Sequence, residues 1–383
     1  MQHAPWLRIF CATVEVRRPG GLHGAGLALT LVARGEDDSP GRGAGMRVAV
    51  FDTHRYDRDA LEAANARFGH ALTYFEPRLT LQTAPLAEGF PAVCSFVNDK
   101  VDAATLEVLH AGGVRLVAAR SAGYNHVDLE AARRLDMRVT RVPEYSPHAV
   151  AEHAVALVLS LNRHIPRAFS RVRDWNFSLD GLVGFDLAGK TVGVVGTGRI
   201  GRVAARIFKG FGCNVLCCDV APDAAFEREL GVRYAPLDTL FAESDILSLH
   251  VPLTPGTRHL VDAAALARMK RGVVLVNTGR GALIDSKALV AALKSGHIGG
   301  AGLDVYEEEE GVFFQDLSGQ VLQDDVLARL LTFPNVLVTS HQAFLTHEAL
   351  ANIAETTLAS LQAFERGEPL VNEVRAEQVL RAR

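Results

Sequence analysis

A glycine-rich turn between two apolar runs constrains the fold of this chain more than any other feature. Residues 191–195 are apolar and rich in valine, which predicts a buried parallel strand. Apolar spacing predicts a helix over residues 200–209, and a second strand is predicted over residues 214–218, followed by Asp219. The turn between the first strand and the helix consists of Gly196, Thr197, Gly198, Arg199, Ile200 and Gly201. The stretch therefore predicts a strand–helix–strand unit of a parallel sheet.

The G-x-G-x-x-G spacing of this turn is typical of the phosphate-binding turn for a dinucleotide. Glycine allows a tight turn and a close approach of the backbone to a pyrophosphate, and free N–H groups at the helix start point at that anion. Asp219 stands where a carboxylate accepts hydrogen bonds from both ribose hydroxyls and repels a 2′-phosphate, which favours NAD. A glycine turn in a core without a ligand is the alternative, but the flanking strand, helix and acid make the motif specific.

Length and composition set the remaining limits. A chain of 383 residues with 48% hydrophobic residues is expected to form two domains with full cores. The net charge of −4 gives no electrostatic reason to expect nucleic acid or an anionic membrane as a partner, and no apolar run reaches membrane-spanning length. The five cysteines lack metal-ligand spacing. We therefore expect no metal, and reduced thiols in a cytoplasmic protein.

Residues 1–45 differ in character from the rest of the chain. They are rich in glycine and arginine, whereas Met46 opens a run that is typical of the first strand of an α/β domain. The segment is either a targeting or regulatory arm, or the product of a start assigned in error upstream of Met46. We favour the second interpretation and expect the segment to be disordered or loosely attached. Mass spectrometry of the native N-terminus distinguishes the two.

From Met46 onward, predicted strands and helices alternate, which predicts an open α/β sheet. The strands are predicted over residues 48–51, 72–75, 92–96 and 116–119, and the helices over residues 58–68, 102–111 and 128–135. A domain border is expected at residues 142–147, because Ser146 can cap a helix and Pro147 suits its first turn. The helix predicted over residues 148–165 has little polar face, so we expect it to be buried on more than one side and to contact another subunit.

Polar side chains follow four successive predicted strands in the second half of the chain. These strands cover residues 245–249, 273–276, 299–303 and 336–339, with a helix over residues 286–294. The polar residues just beyond them are His250, Asn277, Thr278, Arg280, Asp304, Glu309 and His341. Ligands of an open parallel sheet bind beyond the carboxyl ends of its strands, so these groups are expected to share one crevice. That arrangement indicates an enzyme more than a scaffold.

Three of these side chains suit one reaction. The guanidinium of Arg280 can hold a carboxylate through two parallel hydrogen bonds, and His341 can exchange a proton with a carbonyl or hydroxyl oxygen near neutral pH. Glu309 can hold the ring of His341 and keep it protonated. Around a nicotinamide, this set suits hydride transfer to a 2-keto acid. Taken singly, Arg280 could form a surface ion pair, Glu309 could belong to a solvated acidic run, His341 could lie at a domain border, and Asp304 could cap a turn.

Several stretches of the chain resemble stretches of the D-isomer-specific 2-hydroxyacid dehydrogenases. The resemblance runs from Met46 to about Glu373. The stretches are VVGTGRIG at 194–201, HVPLTPGTRHL at 250–260, VNTGRGALID at 276–285, GLDVYEEE at 302–309 and SHQAFLT at 340–346. The stretch FFQDLSGQVLQDDVLARL at 313–330 resembles the branch of fermentative D-lactate dehydrogenases in particular. The resemblance implies two Rossmann-like or flavodoxin-like parallel-sheet domains with the active site in the cleft between them.

The resemblance also implies a role for each matching residue. Arg280 would bind the substrate carboxylate, His341 would be the acid/base, and Glu309 would tune it. Backbone amides of Ala122 and Gly123 would also hold the carboxylate. The pocket walls implied are Phe96, Tyr145 and Phe344. The implied cofactor positions are Gly196, Thr197, Gly198, Arg199, Ile200, Gly201, Asp219, His250, Val251, Pro252, Asn277, Thr278 and Asp304, with Asp219 selecting NAD and Asp304 contacting the nicotinamide.

The implied domains are a discontinuous substrate domain over residues 46–145 plus 343–383 and an NAD-binding domain over residues 146–342. A homodimer or homotetramer is expected. Three functions stay open at this point. The first is reduction of pyruvate to D-lactate by NADH, the second is reduction of a different or bulkier 2-keto acid, and the third is a non-enzymatic NAD sensor that binds a partner.

Overall fold

The computed structural model describes residues 45–376 of the chain. The prediction for the N-terminal extension falls on residues 1–44, which lie outside the described residues, as do the last residues of the predicted segment 343–383. The described part builds two sheets, and every pairing between their strands is parallel. Helices alternate with these strands, which confirms the predicted α/β class. Among the residues between 45 and 376, no helix has both the length and the apolar character needed to cross a membrane.

The first sheet has the order β2-β1-β3-β4-β5. Its strands are β1 (Arg47–Val50), β2 (Ala71–Tyr74), β3 (Ala92–Ser95), β4 (Leu116–Ala119) and β5 (Arg138–Thr140). Its helices are α1 (Arg55–Asn65), α2 (Ala103–Ala111) and α3 (Leu129–Arg134). Alternate residues of the central strands enter two separate apolar clusters, one on each face. The four predicted strands are present, whereas the short strand β5 is not among the predictions.

Two predicted helices have different bounds. Helix α1 begins at Arg55 rather than at residue 58, because Asp57 accepts a hydrogen bond from the backbone N–H of His54 (3.3 Å) and fixes the first turn there. The helix predicted over 148–165 is α4 (Pro147–Asn162), which ends three residues before the predicted end, and a separate helix, α5 (Ile165–Arg173), follows it. They are separated by His164, whose φ of 51° lies in the left-handed region and cannot continue a helix.

Helix α4 begins as predicted. Ser146 Oγ accepts a hydrogen bond from the N–H of Ala149 (3.2 Å), and Pro147 occupies the first helical position. One face of α4 packs on strands of the second sheet and another on helix α6 (Arg199–Gly210), so the helix is buried on more than one side. A contact of α4 with another subunit stays a prediction.

The second sheet has the order β12-β11-β10-β9-β6-β7-β8. Its strands are β6 (Thr191–Val195), β7 (Asn214–Cys218), β8 (Arg233–Tyr234), β9 (Ile246–Leu249), β10 (Val274–Asn277), β11 (Gly300–Leu303) and β12 (Val336–Val338). The remaining helices around it are α7 (Ala224–Leu230), α8 (Leu237–Glu243), α9 (Ala263–Arg268), α10 (Ser286–Lys294) and α11 (Asp325–Leu331). Strands β6 and β7 have the predicted bounds, whereas β8 is not among the predictions. From β6 the chain adds strands toward one edge of the sheet, and from β9 it adds them toward the other edge. Sheets of this kind bind ligands at the point between β6 and β9 where the strand order reverses.

After β12 the chain returns to the first sheet. Helix α12 (His347–Glu365) packs against α1 and strand β4. Beyond this helix, Glu373 forms an antiparallel bridge with Thr140 at the end of β5. The polypeptide therefore passes from the first sheet to the second and back, and the cleft between the sheets is crossed by two chain segments. The predicted domain borders at residues 145/146 and 342/343 stay a prediction.

Candidate active site

The glycine-rich turn leaves open space above the start of helix α6. Gly196 has a φ of 93°, and a Cβ on it would collide with the carbonyl of His250 on the neighbouring strand connection. A Cβ on Gly201 would collide with the carbonyl of Gly196, so both positions require glycine. At Gly198, in contrast, a Cβ would meet nothing within 4 Å. The space beside Gly198 is therefore open at the start of the helix, where backbone N–H groups can bind an anion.

Asp219 closes one end of this turn. Its Oδ2 accepts hydrogen bonds from the N–H (2.6 Å) and the hydroxyl (3.0 Å) of Thr197, and its Oδ1 accepts one from the N–H of Ala221 (2.9 Å). Partial burial alone would raise the pKa of Asp219, but the hydrogen bonds from Ala221 and Thr197 outweigh it and lower that pKa. The carboxylate is therefore ionised at neutral pH and half-buried beside the turn.

Arg199 and Ile200 lie at the mouth of the same turn. Arg199 forms an ion pair with Glu144, which lies just before helix α4. Ile200 faces the larger of the two cavities described below, together with His250, Val251 and Pro252. The ring of His250 contacts the hydroxyl of Ser248 (2.9 Å), and burial lowers the pKa of His250 to about 4, so the ring is neutral at pH 7.

Asn277 holds the turn that carries Arg280. It is buried at the end of β10, its Nδ2 donates to the carbonyl of Arg280 (2.8 Å), and its Oδ1 accepts from the N–H of Gly279 (3.0 Å). Its side chain is thus occupied within the turn. The neighbouring Thr278 lines the larger cavity, and its buried hydroxyl has no hydrogen-bond partner within the described residues. A buried hydroxyl without a partner is a candidate ligand contact.

Asp304 holds the turn that carries His341. Its side chain is fully buried and accepts hydrogen bonds from the Thr339 hydroxyl (2.6 Å) and from the N–H groups of Gln342 (2.8 Å) and Ala343 (2.9 Å). Burial alone would raise its pKa, but the hydrogen bonds it accepts, the first of them from His153, lower it. The carbonyl of Asp304 also accepts the N–H of His341 (2.7 Å).

His341 is held in an uncommon backbone conformation and is oriented by Glu309. Its φ is 50°, in the left-handed region. Its Nδ1 lies 3.0 Å from Oε1 of Glu309, and the other oxygen of Glu309 accepts the N–H of Tyr306 (3.3 Å). The carboxylate therefore fixes the ring, so that Nε2 is the nitrogen left for a substrate. Glu307, in the same acidic run, contacts His259 (2.6 Å) instead, so the run is divided among partners rather than uniformly solvated.

Two adjoining cavities open between the sheets. The smaller lies beside Phe96, and the larger runs toward the glycine-rich turn. The residues that line both are Ala122, Gly123, Tyr145, Arg280, His341 and Phe344. Arg280 and His341 thus face one shared space. A Cβ on Gly123 would lie 2.7 Å from Nη2 of Arg280, so the guanidinium packs directly on this backbone.

Aromatic rings form the far wall of the smaller cavity. The ring of Phe344 lies 6.2 Å from that of Phe96 and 6.3 Å from that of Tyr145, and all three line this cavity. A fourth ring, Phe314, is not among the predicted site residues, yet it lines this cavity and lies 5.8 Å from the ring of His341. The sequence feature that could have identified Phe314 is the pair of phenylalanines at residues 313 and 314. His153, which contacts Thr339 Oγ1 (3.0 Å), is also absent from the predictions.

The predicted residues fall into three groups. Those that line a cavity are Phe96, Ala122, Gly123, Tyr145, Ile200, His250, Val251, Pro252, Thr278, Arg280, Asp304, His341 and Phe344. Asn277 and Glu309 lie behind the cavity walls and position Arg280 and His341. Gly196, Thr197, Gly198, Arg199, Gly201 and Asp219 form the glycine-rich end. Within the described residues, no group of three His, Cys, Asp or Glu side chains is placed to hold a metal ion.

Comparison with known proteins identifies the family. Residues 155–343 match the model of the NAD binding domain of D-isomer specific 2-hydroxyacid dehydrogenases. The D-lactate dehydrogenase of Escherichia coli (strain K12) is 53% identical over 329 residues, which are 86% of this chain and 100% of that protein. The apo-structure of D-lactate dehydrogenase from Escherichia coli gives a TM-score of 0.80 at 51% identity, over 86% of this chain and 100% of that one.

Two further solved structures agree with this assignment. The pyruvate reductase of Chlamydomonas reinhardtii gives a TM-score of 0.82 at 48% identity, over 86% of this chain and 99% of that one. A D-lactate dehydrogenase with NAD+ from Lactobacillus jensenii gives a TM-score of 0.73 at 31% identity, over 86% of this chain and 99% of that one. The resemblance drawn from the sequence motifs is confirmed, and the chain belongs to the oxidoreductase family of D-isomer specific 2-hydroxyacid dehydrogenases.

Proposed function

We propose that this chain is an NAD-dependent D-lactate dehydrogenase, which transfers hydride reversibly between NADH and pyruvate. The observation that carries the proposal is the shared cavity of Arg280 and His341, with Glu309 hydrogen-bonded to the far side of the imidazole. The names of the similar proteins, D-lactate dehydrogenase and pyruvate reductase, support the choice of pyruvate.

The residues present fit a bound NAD. Gly196 and Gly201 make a close approach of the backbone to a pyrophosphate possible, and the open space at Gly198 leaves room for it. The ionised carboxylate of Asp219 suits the ribose hydroxyls and opposes a 2′-phosphate. At the other end, the larger cavity is lined by Thr278, whose buried hydroxyl has no hydrogen-bond partner among residues 45–376. When bound, NADH would supply the hydride that reduces the carbonyl carbon.

The side chains of the smaller cavity supply the rest of the reaction. The guanidinium of Arg280, with the backbone at Ala122 and Gly123, holds the carboxylate of the 2-keto acid and so fixes its orientation. His341 then lies on the carbonyl side and donates a proton from Nε2 to the oxygen as the carbonyl is reduced, and it takes the proton back in the reverse direction. Glu309 holds the ring of His341 in this orientation through its contact with Nδ1. The aromatic wall surrounds the methyl group of pyruvate and excludes water.

Initial rates across a panel of 2-keto acids test this function. The panel contains pyruvate, 2-ketobutyrate, 2-ketoisocaproate and phenylpyruvate, each with NADH and with NADPH. We expect the highest kcat/KM for pyruvate with NADH, and D-lactate as the product on chiral chromatography. A preference above tenfold for a bulkier acid would assign the site to another 2-hydroxyacid. No oxidation of bound NADH by any acid would contradict an enzymatic function and favour an NAD sensor.

Replacing Asp219 by alanine is expected to relax the preference for NAD. The substitution removes the charge that opposes a 2′-phosphate, so the ratio of kcat/KM for NADPH to that for NADH should rise by about tenfold or more. Asp219→Asn, which keeps the shape and removes the charge, should act in the same direction. Asp238→Ala, at an exposed acid on helix α8, is the control. An unchanged ratio in both Asp219 variants would remove Asp219 from cofactor selection.

Replacing Glu309 by glutamine is expected to lower kcat for pyruvate reduction. Its carboxylate lies 3.0 Å from Nδ1 of His341 and orients the ring, so its loss should lower kcat by about 10-fold or more. The measurement is the steady-state rate with saturating NADH and pyruvate.

The matched control for Glu309 is Glu307→Gln. Glu307 belongs to the same acidic run but contacts Arg258 and His259 rather than His341. Its variant should therefore keep the wild-type kcat. A wild-type kcat in the Glu309 variant would show that this carboxylate has no influence on the proton donor.

The proposal includes a homodimer or homotetramer in the cytoplasm. Exposed apolar side chains cluster in helix α5 and the segment after it, among them Trp175 (83% exposed), Leu179 (80%) and Val183 (86%). An apolar surface of this kind supports association with a second copy. The four cysteines of the described residues are free thiols, which agrees with a reducing compartment. Light scattering of the full chain would give the mass of the assembly.

A further inference from the structure

We propose that Phe314 is a specificity-determining residue, whose ring closes the smaller cavity beside His341 and limits the size of the group that a 2-keto acid can carry at C3. The inference rests on the proposed function, because it concerns the substrate of the same site. It is separate from the role of Phe96, Tyr145 and Phe344, which the sequence motifs imply.

The ring of Phe314 contacts groups from both sheets. Its centroid lies 5.4 Å from that of Phe96, which follows strand β3 of the first sheet, in an edge-on arrangement. On its other side it lies 5.8 Å from the ring of His341, which follows strand β12 of the second sheet. Phe314 lines the smaller cavity and is absent from the lining of the larger one. It therefore stands at the substrate end of the cleft.

The backbone around Phe314 holds the ring in this position. Phe314 has a φ of 63°, a left-handed conformation that an aromatic residue adopts only when its surroundings impose it. Its neighbour Phe313 is buried in the core of the second sheet. The carbonyl of Phe313 accepts a hydrogen bond from Nη2 of Arg78 (3.2 Å), and Arg78 lies 4.0 Å from the carboxylate of Asp52, which follows strand β1 of the first sheet. The ring is thus anchored from both sides of the cleft.

This position predicts two consequences for the reaction. A substrate held by its carboxylate at Arg280 and by its carbonyl at His341 must place its third substituent among the aromatic rings. The ring of Phe314 then fills the space that a branched or aromatic substituent would need. Because the same ring packs on His341, it also keeps water from the imidazole, so its loss should slow the reduction of pyruvate as well.

The test compares Phe314→Ala and Phe314→Leu with the wild-type protein on pyruvate, 2-ketoisocaproate and phenylpyruvate, with saturating NADH. We expect the ratio of kcat/KM for the bulky acids to that for pyruvate to rise by about 10–200-fold in the alanine variant, the range that a size change in an apolar pocket produces. The leucine variant should lie between alanine and the wild type. Phe314 is only half-buried, so both variants should fold.

Two controls keep the outcomes distinct. Val321→Ala changes an exposed residue (80% exposed) of the same segment and should leave every ratio unchanged. Arg78→Gln releases the carbonyl of Phe313 without altering the cavity wall and should raise the ratio in the same direction by less. If the wild-type protein turns over none of the acids, the proposed function fails. If it reduces pyruvate and both Phe314 variants keep its ratios, the inference about Phe314 alone is overturned.

Discussion

Replacing His341 by glutamine is expected to lower kcat for pyruvate reduction by about 10²–10⁴-fold, the contribution of a positioned general acid. Glutamine can still donate a hydrogen bond to the carbonyl oxygen, but it cannot transfer a proton. The KM for pyruvate should change little, because the carboxylate contact at Arg280 remains. The measurement is the steady-state rate at pH 7 with saturating NADH.

The matched control is His347→Gln. His347 is exposed at the start of helix α12, six positions along the chain from His341, and lines neither cavity of the site. Its variant should keep the wild-type kcat. A His341 variant that retains more than a tenth of the wild-type kcat would show that another group supplies the proton.

Replacing Arg280 by alanine is expected to lower kcat/KM for pyruvate by about 10²–10³-fold, which corresponds to the loss of roughly 3–4 kcal/mol from a buried charge-assisted contact. Most of this loss should appear as a higher KM, because the guanidinium holds the carboxylate in the ground state as well as in the transition state. Steady-state kinetics with pyruvate up to its solubility limit give both constants.

Two variants separate the charge of Arg280 from its shape. Arg280→Lys keeps the charge but loses the paired hydrogen bonds, so it should recover only part of the activity. Arg268→Ala removes an exposed arginine that pairs with Asp238 far from the cleft and should behave as the wild type. A wild-type KM in the Arg280→Ala variant would show that the carboxylate is bound elsewhere.

The bounds of the two strands around the glycine-rich turn could be predicted to the residue, because the sequence features that define them are local. An apolar run, a glycine spacing and an acid define β6, β7 and the turn without help from distant contacts. The break between α4 and α5 could not be predicted, because His164 adopts a φ of 51° for which its residue type gives no signal. The same holds for Phe314, whose left-handed backbone depends on tertiary contacts.

Some features of the candidate site could likewise be predicted from the sequence, and others could not. Arg280 and His341 follow strands of one parallel sheet, so a rule about strand ends was enough to predict that they meet. The different partners of Glu307 and Glu309 could not be predicted, because four consecutive glutamates are equivalent in sequence and differ only in what faces them. Asn277 and Asp304 were predicted near the cofactor, but their side chains are occupied in the turns that carry Arg280 and His341.

The most direct test of whether Arg280 and His341 bind the same ligand is the binding of oxamate to the NADH-loaded protein. Oxamate is an isostere of pyruvate. Calorimetric titration of the full chain at pH 7 gives Kd for the wild type, Arg280→Ala and His341→Gln. We predict that oxamate binds the wild type, that the arginine variant loses about 100-fold or more in affinity, and that the histidine variant loses a smaller factor. Wild-type affinity in both variants would contradict a shared substrate site.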